Sequence, residues 1–562
     1  MSSPYSQARR RSMQLSRRRL IGGVGIVGAS ATLAACGGNR TSSQKAVGST
    51  ASGKPHAGGT VAVNVETDPF DWDLSYIGKS VPNSNGTALA YEGLLTLKRG
   101  PDVKFGDLIV QPKLAEKWEA PDAQTYTFHL RPNVTFANLP PVNGRALTSA
   151  DALWSYEYWS RSGSIAAKKL PQAQFDWFYE GVDSIQAPDA STLVVRFKQP
   201  FAPFLSYAAS DYNPVVPHEI FDQDGNFKNR IAGSGPYQLD ASASQKGSRW
   251  VWKKNPTYWN AGLPYIDEIH WLVMKDTATA MAAFQTKQLD WMGNDVLNFQ
   301  QATTLKASMP SATEFANLSI NPLHVYMNIR SGPLADARVR QAISLAMDRD
   351  EFIRTINGGQ GGWALAGAFP DTFTQEEVKQ IIPHDPQKAK QLLAAAGYGS
   401  GLDLEFTYPG NDYGDIYLAE MQLLQAQLKP AGINLKLVNQ DKSEFSNNKK
   451  IGKFVITLAP KGSLEGDIDS YLFATFFSKS KANYGGSNDP KLDDMLMAQR
   501  READASKRKD LIRQAVKYVN ETAQGLAVSY GMTYEFAQPW LKGYTPQFGM
   551  FGHPQPESWL DK

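Results

Sequence analysis

The spacing of apolar positions along the chain changes at about residue 330. Before it, they recur every second residue. Thr60–Val65 (TVAVNV) alternates as a half-buried strand does, residues 124–131 (QTYTFHLR) set Tyr126, Phe128 and Leu130 on one face, and residues 192–198 (TLVVRFK) do the same with Leu193, Val195 and Phe197. Ala120-Pro121-Asp122 and Ala187-Pro188-Asp189 precede the latter two as turn signals, so this part predicts antiparallel sheet. Past residue 330 the spacing lengthens to three and four. Val339, Ala342, Ile343 and Ala346 follow Asp336 as N-cap. Ala389, Leu392, Leu393 and Ala396 follow Asp385-Pro386, with Gly397 where a helix-ending glycine belongs. Leu418, Met421, Leu424 and Leu428 form a third stripe. Strand 402–408, helix 416–429 and strand 433–437 make an α/β unit.

The amino terminus has no such period. Residues 1–35 carry six arginines and no acidic residue or lysine, and end in an apolar stretch over residues 20–35. Sixteen residues are short for a bilayer core of about 30 Å, and the Gly and Ala content suits a cleavable export segment. Ser16-Arg17-Arg18-Arg19-Leu20-Ile21 resembles a twin-arginine export motif, and Leu33-Ala34-Ala35-Cys36 resembles a bacterial lipobox. That resemblance makes Cys36 the lipidated first residue of the mature protein. Residues 36–60, rich in Gly, Ser, Thr, Ala and Lys, read as a flexible tether with a reach on the order of 25–30 Å. The expected location is outside the cytoplasm, lipid-anchored to the cell membrane, on the extracellular face or in a periplasm. Gly23-Val24-Gly25-Ile26-Val27-Gly28 matches a dinucleotide fingerprint, but no strand precedes it and it falls within the segment expected to be removed.

Composition narrows the remainder. The 562 residues are 42% hydrophobic and 20% charged, with one cysteine, as befits a globular chain of two or more domains without a disulfide framework. The formal charge of +3 belongs to the leader: 58 basic residues less those six arginines leave 52 against 55 acidic ones, or −3. A nucleic-acid binder would keep its basic excess in the folded part, so no nucleic-acid partner is expected. The seven histidines contain no i, i+4 pair and no H-E-x-x-H, and no P-loop motif occurs, so neither metal nor cofactor is expected. Ser478 and Lys481 fit S-x-x-K, but no K-T-G accompanies them, and a solvated loop is the expected reading.

Several phrases, in order, carry a family resemblance. They are Pro112-Lys113-Leu114-Ala115-Glu116-Lys117-Trp118, the run from Tyr126 to Phe136, Leu147-Thr148-Ser149-Ala150-Asp151-Ala152, Gly233-Ser234-Gly235-Pro236-Tyr237 and Asn255-Pro256-Thr257-Tyr258-Trp259. After these come DARVRQAISLAMD at residues 336–348, DPQKAKQLLAAAGY at 385–398 and Ala431-Gly432-Ile433-Asn434. Together they are similar to the bacterial extracellular solute-binding proteins of ABC importers, family 5, the oligopeptide, dipeptide and nickel binders. The resemblance implies an α/β, two-lobed periplasmic-binding-protein fold of the class II, Venus-flytrap kind, with an extra antiparallel subdomain in lobe one. Lobe one would span 61–318 with 531–562 returning to it, and lobe two 319–530. Lys287 stands where the family usually has glycine, a departure that affects a turn.

What the resemblance implies for function is a monomeric receptor, not an enzyme, that closes on a peptide or other small solute and delivers it to ABC permease subunits. In peptide-binding members an acidic residue of lobe two pairs with the terminal ammonium. The family phrase there is Gly-Trp, then Asp, then Asp-Pro before aromatic residues; this chain has neither the tryptophan nor Asp-Pro. Glu465, Asp467 and Asp469 are the candidates, with an ungapped comparison favouring Glu465 over Asp467. Further candidates to line the cleft are Asp68, Phe70, Asp71 and Trp72 after the first strand, Tyr91, and Trp363 and Phe369 in the Gly-rich stretch 358–370. For each aromatic, packing competes with ligand contact as the reading. Two alternatives stay open: the same receptor carrying an oligosaccharide or another small nutrient, and an exported hydrolase or penicillin-interacting enzyme.

Overall fold

The computed structural model describes residues 53–75, 81–100, 102–103, 107–173, 175–293, 297–410, 414–460, 466–546 and 554–562. Two large sheets organise them. The first has seven strands in the order Thr313–Leu318, Met532–Ala537, Trp291–Met292, Thr60–Val65, Glu268–Val273, Arg249–Lys254 and Tyr237–Gln245. The second has five, in the order Ile433–Asn439, Leu402–Tyr408, Ile456–Pro460, Leu323–Met327 and Leu526–Ala527. A separate four-stranded antiparallel sheet, Ala115–Glu119, Thr125–Leu130, Thr192–Phe197 and Val182–Asp189, shares its hydrophobic core with the first. The chain passes from the first large sheet to the second between Leu318 and Leu323, and back between Ala527 and Met532. On that return, Ser529–Tyr530 pairs with Gly362–Trp363.

The alternation in Thr60–Val65 predicts one buried face, and the structure buries more. The strand sits inside the sheet with parallel partners on both sides, Glu268–Val273 and Trp291–Met292, so Val63, Asn64 and Val65 are all buried. Residues 124–131 and 192–198 do pair antiparallel, with Phe128 opposite Leu193 and Tyr126 opposite Val195, all four buried.

The second sheet carries the α/β unit. Leu402–Tyr408 and Ile433–Asn439 run parallel, joined through the helix Gly414–Leu428. Asp336 accepts the Arg338 backbone N–H at 2.8 Å to start the helix Ala337–Ala346, and Asp385 accepts that of Lys388 at 2.9 Å to start Pro386–Ala395. Gly397 follows with φ +93°, the left-handed conformation that ends a helix. Lys287 adopts φ +65°, so the lysine takes the backbone shape that glycine would adopt without strain.

The end of the segment read as a tether is held to the fold. The Gly58 N–H donates to the Tyr265 carbonyl at 2.8 Å, and His56 meets Trp559 edge-on at 5.2 Å. The export segment, Cys36 and the tether up to residue 52 lie outside the described residues.

Candidate functional site

In open α/β sheets ligands bind beyond the carboxyl ends of the strands. Leu402–Tyr408, Ile433–Asn439 and Ile456–Pro460 are mutually parallel, so their carboxyl ends share one edge of the second lobe. The chain leaving Pro460 re-enters the described residues at Gly466, with φ +82°. A Cβ on Gly466 would stand 3.4 Å from Cδ1 of Leu97 and 3.8 Å from the carbonyl oxygen of Ser206, both in the first lobe. The described chain thus leaves the sheet edge at Pro460 and resumes at Gly466 beside the facing lobe.

Two of the three candidate acids follow directly. Asp467 accepts two hydrogen bonds from the Arg508 guanidinium, at 2.9 and 2.7 Å, and its carboxylate also receives the Asp469 backbone N–H at 2.9 Å. Asp469, fully buried, accepts Arg500 Nε at 3.0 Å, the Gln499 side-chain amide, and the hydroxyl of Tyr207 at 2.6 Å. Tyr207 belongs to the first lobe, in the helix Phe204–Ala208. Burial, followed by the Asp469 charge, pushes its hydroxyl well above the usual tyrosine range, so it remains a donor. Burial works against the charge of Arg508, but Asp467 outweighs it and holds the guanidinium above its ordinary value.

Arg500 reaches the first lobe too. It donates to the Trp177 carbonyl at 3.2 Å, its own carbonyl accepts the Ala202 N–H at 2.8 Å, and its guanidinium lies 4.6 Å from the Phe201 ring centre. Phe473 of the second lobe covers it at 3.5 Å. The Asp469–Arg500 pair is almost entirely sheltered from water, so removing either partner alone would strand a buried charge at a cost of about 3–5 kcal/mol. Both acids are thus matched by arginines of this chain.

The other candidates lie elsewhere. Asp68 accepts the Gly247 N–H at 2.8 Å and the Trp250 indole N–H at 2.9 Å, pinning the hairpin of the first lobe. Asp71 accepts the Asp73 N–H at 3.0 Å, Trp72 packs edge-on to Trp250 and Trp252, and Phe70 is 74% exposed. Tyr91 is buried in the first lobe's core, and burial raises its hydroxyl pKa. Trp363 is buried in the second lobe, donating to Asp350 at 2.7 Å with the Arg349 guanidinium 5.5 Å from its ring; Phe369 packs on the same cluster. Glu465 lies outside the described residues. The structure therefore brings Asp469 to a node between the lobes, with Asp467 beside it, and distributes the remaining described candidates over three other places.

Sequence reading missed Tyr207, Gln499, Arg500 and Arg508. One signal was present: Leu492, Leu496, Gln499 and Arg500 share the buried face of the helix Pro490–Arg501, so a glutamine and an arginine occupy core positions. Ser478 and Lys481 do not act together, since the Ser478 hydroxyl is held by Asp493 and Lys481 points to Asp176 at 4.0 Å. Among the described residues, no group of three or more His, Cys, Asp or Glu could hold a metal ion, and no helix is long and apolar enough to cross a membrane.

Comparison with known proteins places these features in context. Residues 110–483 match the model of the bacterial extracellular solute-binding proteins, family 5, middle region. The dipeptide-binding protein of Escherichia coli is 26% identical over 485 residues, covering 82% of this chain and 88% of that protein. The periplasmic oligopeptide-binding protein of the same organism is 26% identical over 492 residues, covering 83% of this chain and 86% of its own length. In three dimensions the chain is similar to a periplasmic binding protein of Helicobacter pylori solved with the peptide STSA: TM-score 0.75, 22% identity, covering 90% of this chain and 99% of that one. The likeness extends to the two-lobed fold as a whole.

Proposed function

Because the chain belongs to the bacterial extracellular solute-binding proteins, family 5, we propose that it captures a peptide between its two lobes and delivers it to the permease of an ABC importer. The observation that carries the reading is the edge beyond Ile456–Pro460, where the described chain ends at Pro460 on the second lobe's sheet and resumes at Gly466 beside Leu97 and Ser206 of the facing lobe. Relatives along most of the length are named as dipeptide- and oligopeptide-binding proteins, which supports peptide as the cargo. Since Asp467 and Asp469 are taken up by Arg508 and Arg500, Glu465 is favoured as the partner of a terminal ammonium. The lobes divide as 61–318 with 531–562, and 319–530; membership of Thr313–Leu318 in one large sheet and Leu323–Met327 in the other supports this division. The receptor is a monomer that binds stoichiometrically without turnover, exported by residues 1–35 and anchored through a lipid on Cys36.

Native mass spectrometry of tag-free protein from its own host tests the cargo. A co-purified peptide series is expected, and a hexose series would overturn the peptide reading. Glu465→Gln should weaken peptide binding without lowering the melting temperature. Cys36→Ser should release the protein from membranes, and its retention there would refute the anchor.

A further inference from the structure

The node at Asp469 lies where the two lobes meet and draws its parts unevenly from them. Both of its charges, Asp469 and Arg500, come from the second lobe, so the pair is complete before the first lobe arrives. Among the described residues, the first lobe adds no charge to it. It supplies a hydroxyl from Tyr207, a carbonyl from Trp177, a backbone N–H from Ala202 and the ring face of Phe201. Phe178 stacks on the Tyr207 ring at 4.2 Å and 8°, which fixes the direction of that hydroxyl. Burying a paired charge costs less than burying a lone one, and directional hydrogen bonds form at only one relative placement of the lobes.

We propose that Tyr207, Asp469 and Arg500 form a cross-lobe clamp, positioning residues that set ligand affinity by fixing the closed arrangement. None of the clamp's contacts requires a ligand atom. Its contribution to closure is therefore the same for every ligand, and the affinity for all of them scales with the closed fraction it maintains. Such a term suits a receptor that accepts peptides of varied side chains, and only this aspect rests on the peptide reading.

Tyr207→Phe tests it, because the ring and its stack stay while one donor is removed. Cys36 is the only cysteine, so a Cys36→Ser chain with Lys246→Cys and Lys390→Cys can carry one dye on an exposed site of each lobe. By single-molecule energy transfer without ligand, Tyr207→Phe should lower the closed-to-open ratio about tenfold, the worth of one hydrogen bond to a carboxylate, at unchanged melting temperature. Trialanine and tetralysine should both bind more weakly, by the same factor. Identical energy-transfer distributions in the two chains overturn the clamp, and unequal factors for the two peptides overturn its independence of ligand. Opening by Tyr207→Phe in a protein that binds neither peptide upholds the clamp and removes the peptide reading instead.

Discussion

The two lobes fill their cores with different chemistry. In the first, aromatic rings interlock: Phe204 alone lies 4.8–6.4 Å from the rings of Tyr126, Phe128, Tyr156, Tyr179 and Phe197. In the second, helices cover a mixed parallel and antiparallel sheet with mainly aliphatic side chains, among them Val325, Val339, Ile343, Leu393, Leu404, Leu424 and Leu458, while Trp363, Tyr471 and Phe476 gather in a separate cluster. Each ring fills a large volume with one rigid body, whereas aliphatic side chains interdigitate in smaller pieces at the same close packing. The contrast carries to the face between the lobes. One side presents rings and a hydroxyl, the other a pair of acids, their arginines and the ring of Phe473. Tyrosine ionisation should therefore weigh more heavily on the first lobe, and loss of a charge at the facing surface on the second.

Alkali should draw the largest difference. Burial raises the hydroxyl pKa of Tyr91, Tyr126, Tyr156, Tyr179, Tyr207 and Tyr237 in the first lobe, and of Tyr471 and Tyr530 in the second. A group whose folded pKa is raised contributes stability that is fully present below its unfolded pKa and is lost as pH rises. Stability should accordingly hold up to about pH 10 and then fall by about 1.4 kcal/mol per pH unit for each such tyrosine. Phenolate absorbance and circular dichroism measured together along a pH titration should show ionisation arriving with unfolding, with proteolytic cleavage appearing first in the first lobe. Ionisation that runs well ahead of unfolding would mean that these hydroxyls are not held by burial.

Core truncations come next. Phe204→Ala is expected to cost about 3–5 kcal/mol, since five neighbouring rings cannot all collapse into the space. Leu424→Ala, in the aliphatic core, is expected to cost about 2–5 kcal/mol, with more of the gap closed by neighbours. Denaturant melts of both variants measure the difference; a larger cost at Leu424 would contradict the account of how each core is filled. The smallest effect belongs to the rim. Lys481 faces Asp176 across the lobes at 4.0 Å with 73% of its side chain exposed, so Lys481→Ala should change stability by no more than about 0.5 kcal/mol. A large loss there would mean that rim charge rather than the buried node holds the lobes together.

Much of the architecture was legible because it is local. The caps at Asp336 and Asp385, the glycine at 397 and the alternation at residues 124–131 act within a few residues, and the structure keeps them all. Thr60–Val65 was legible as a strand but not as an inner one, since its parallel partners at 268–273 and 291–292 lie more than 200 residues away. The candidate site was less legible. Asp68 and Trp363 have the composition of ligand contacts, yet both are consumed by partners that the sequence does not indicate, the indole of Trp250 and the carboxylate of Asp350.

Neighbouring residues were enough to reveal the strands at 124–131 and 192–198, the α/β unit at 402–437, the caps of the helices at 337–346 and 386–395, and the resemblance to family 5, because periodicity and capping are local properties. What each acid does follows from contacts that arise on folding. Asp467 and Asp469 are two residues apart and chemically alike, but Asp467 meets Arg508 inside one lobe while Asp469 faces Tyr207 across both. A carboxylate's role is set by which charges and donors burial brings within about 3 Å of it, and those come from positions 31, 41 and 262 residues away.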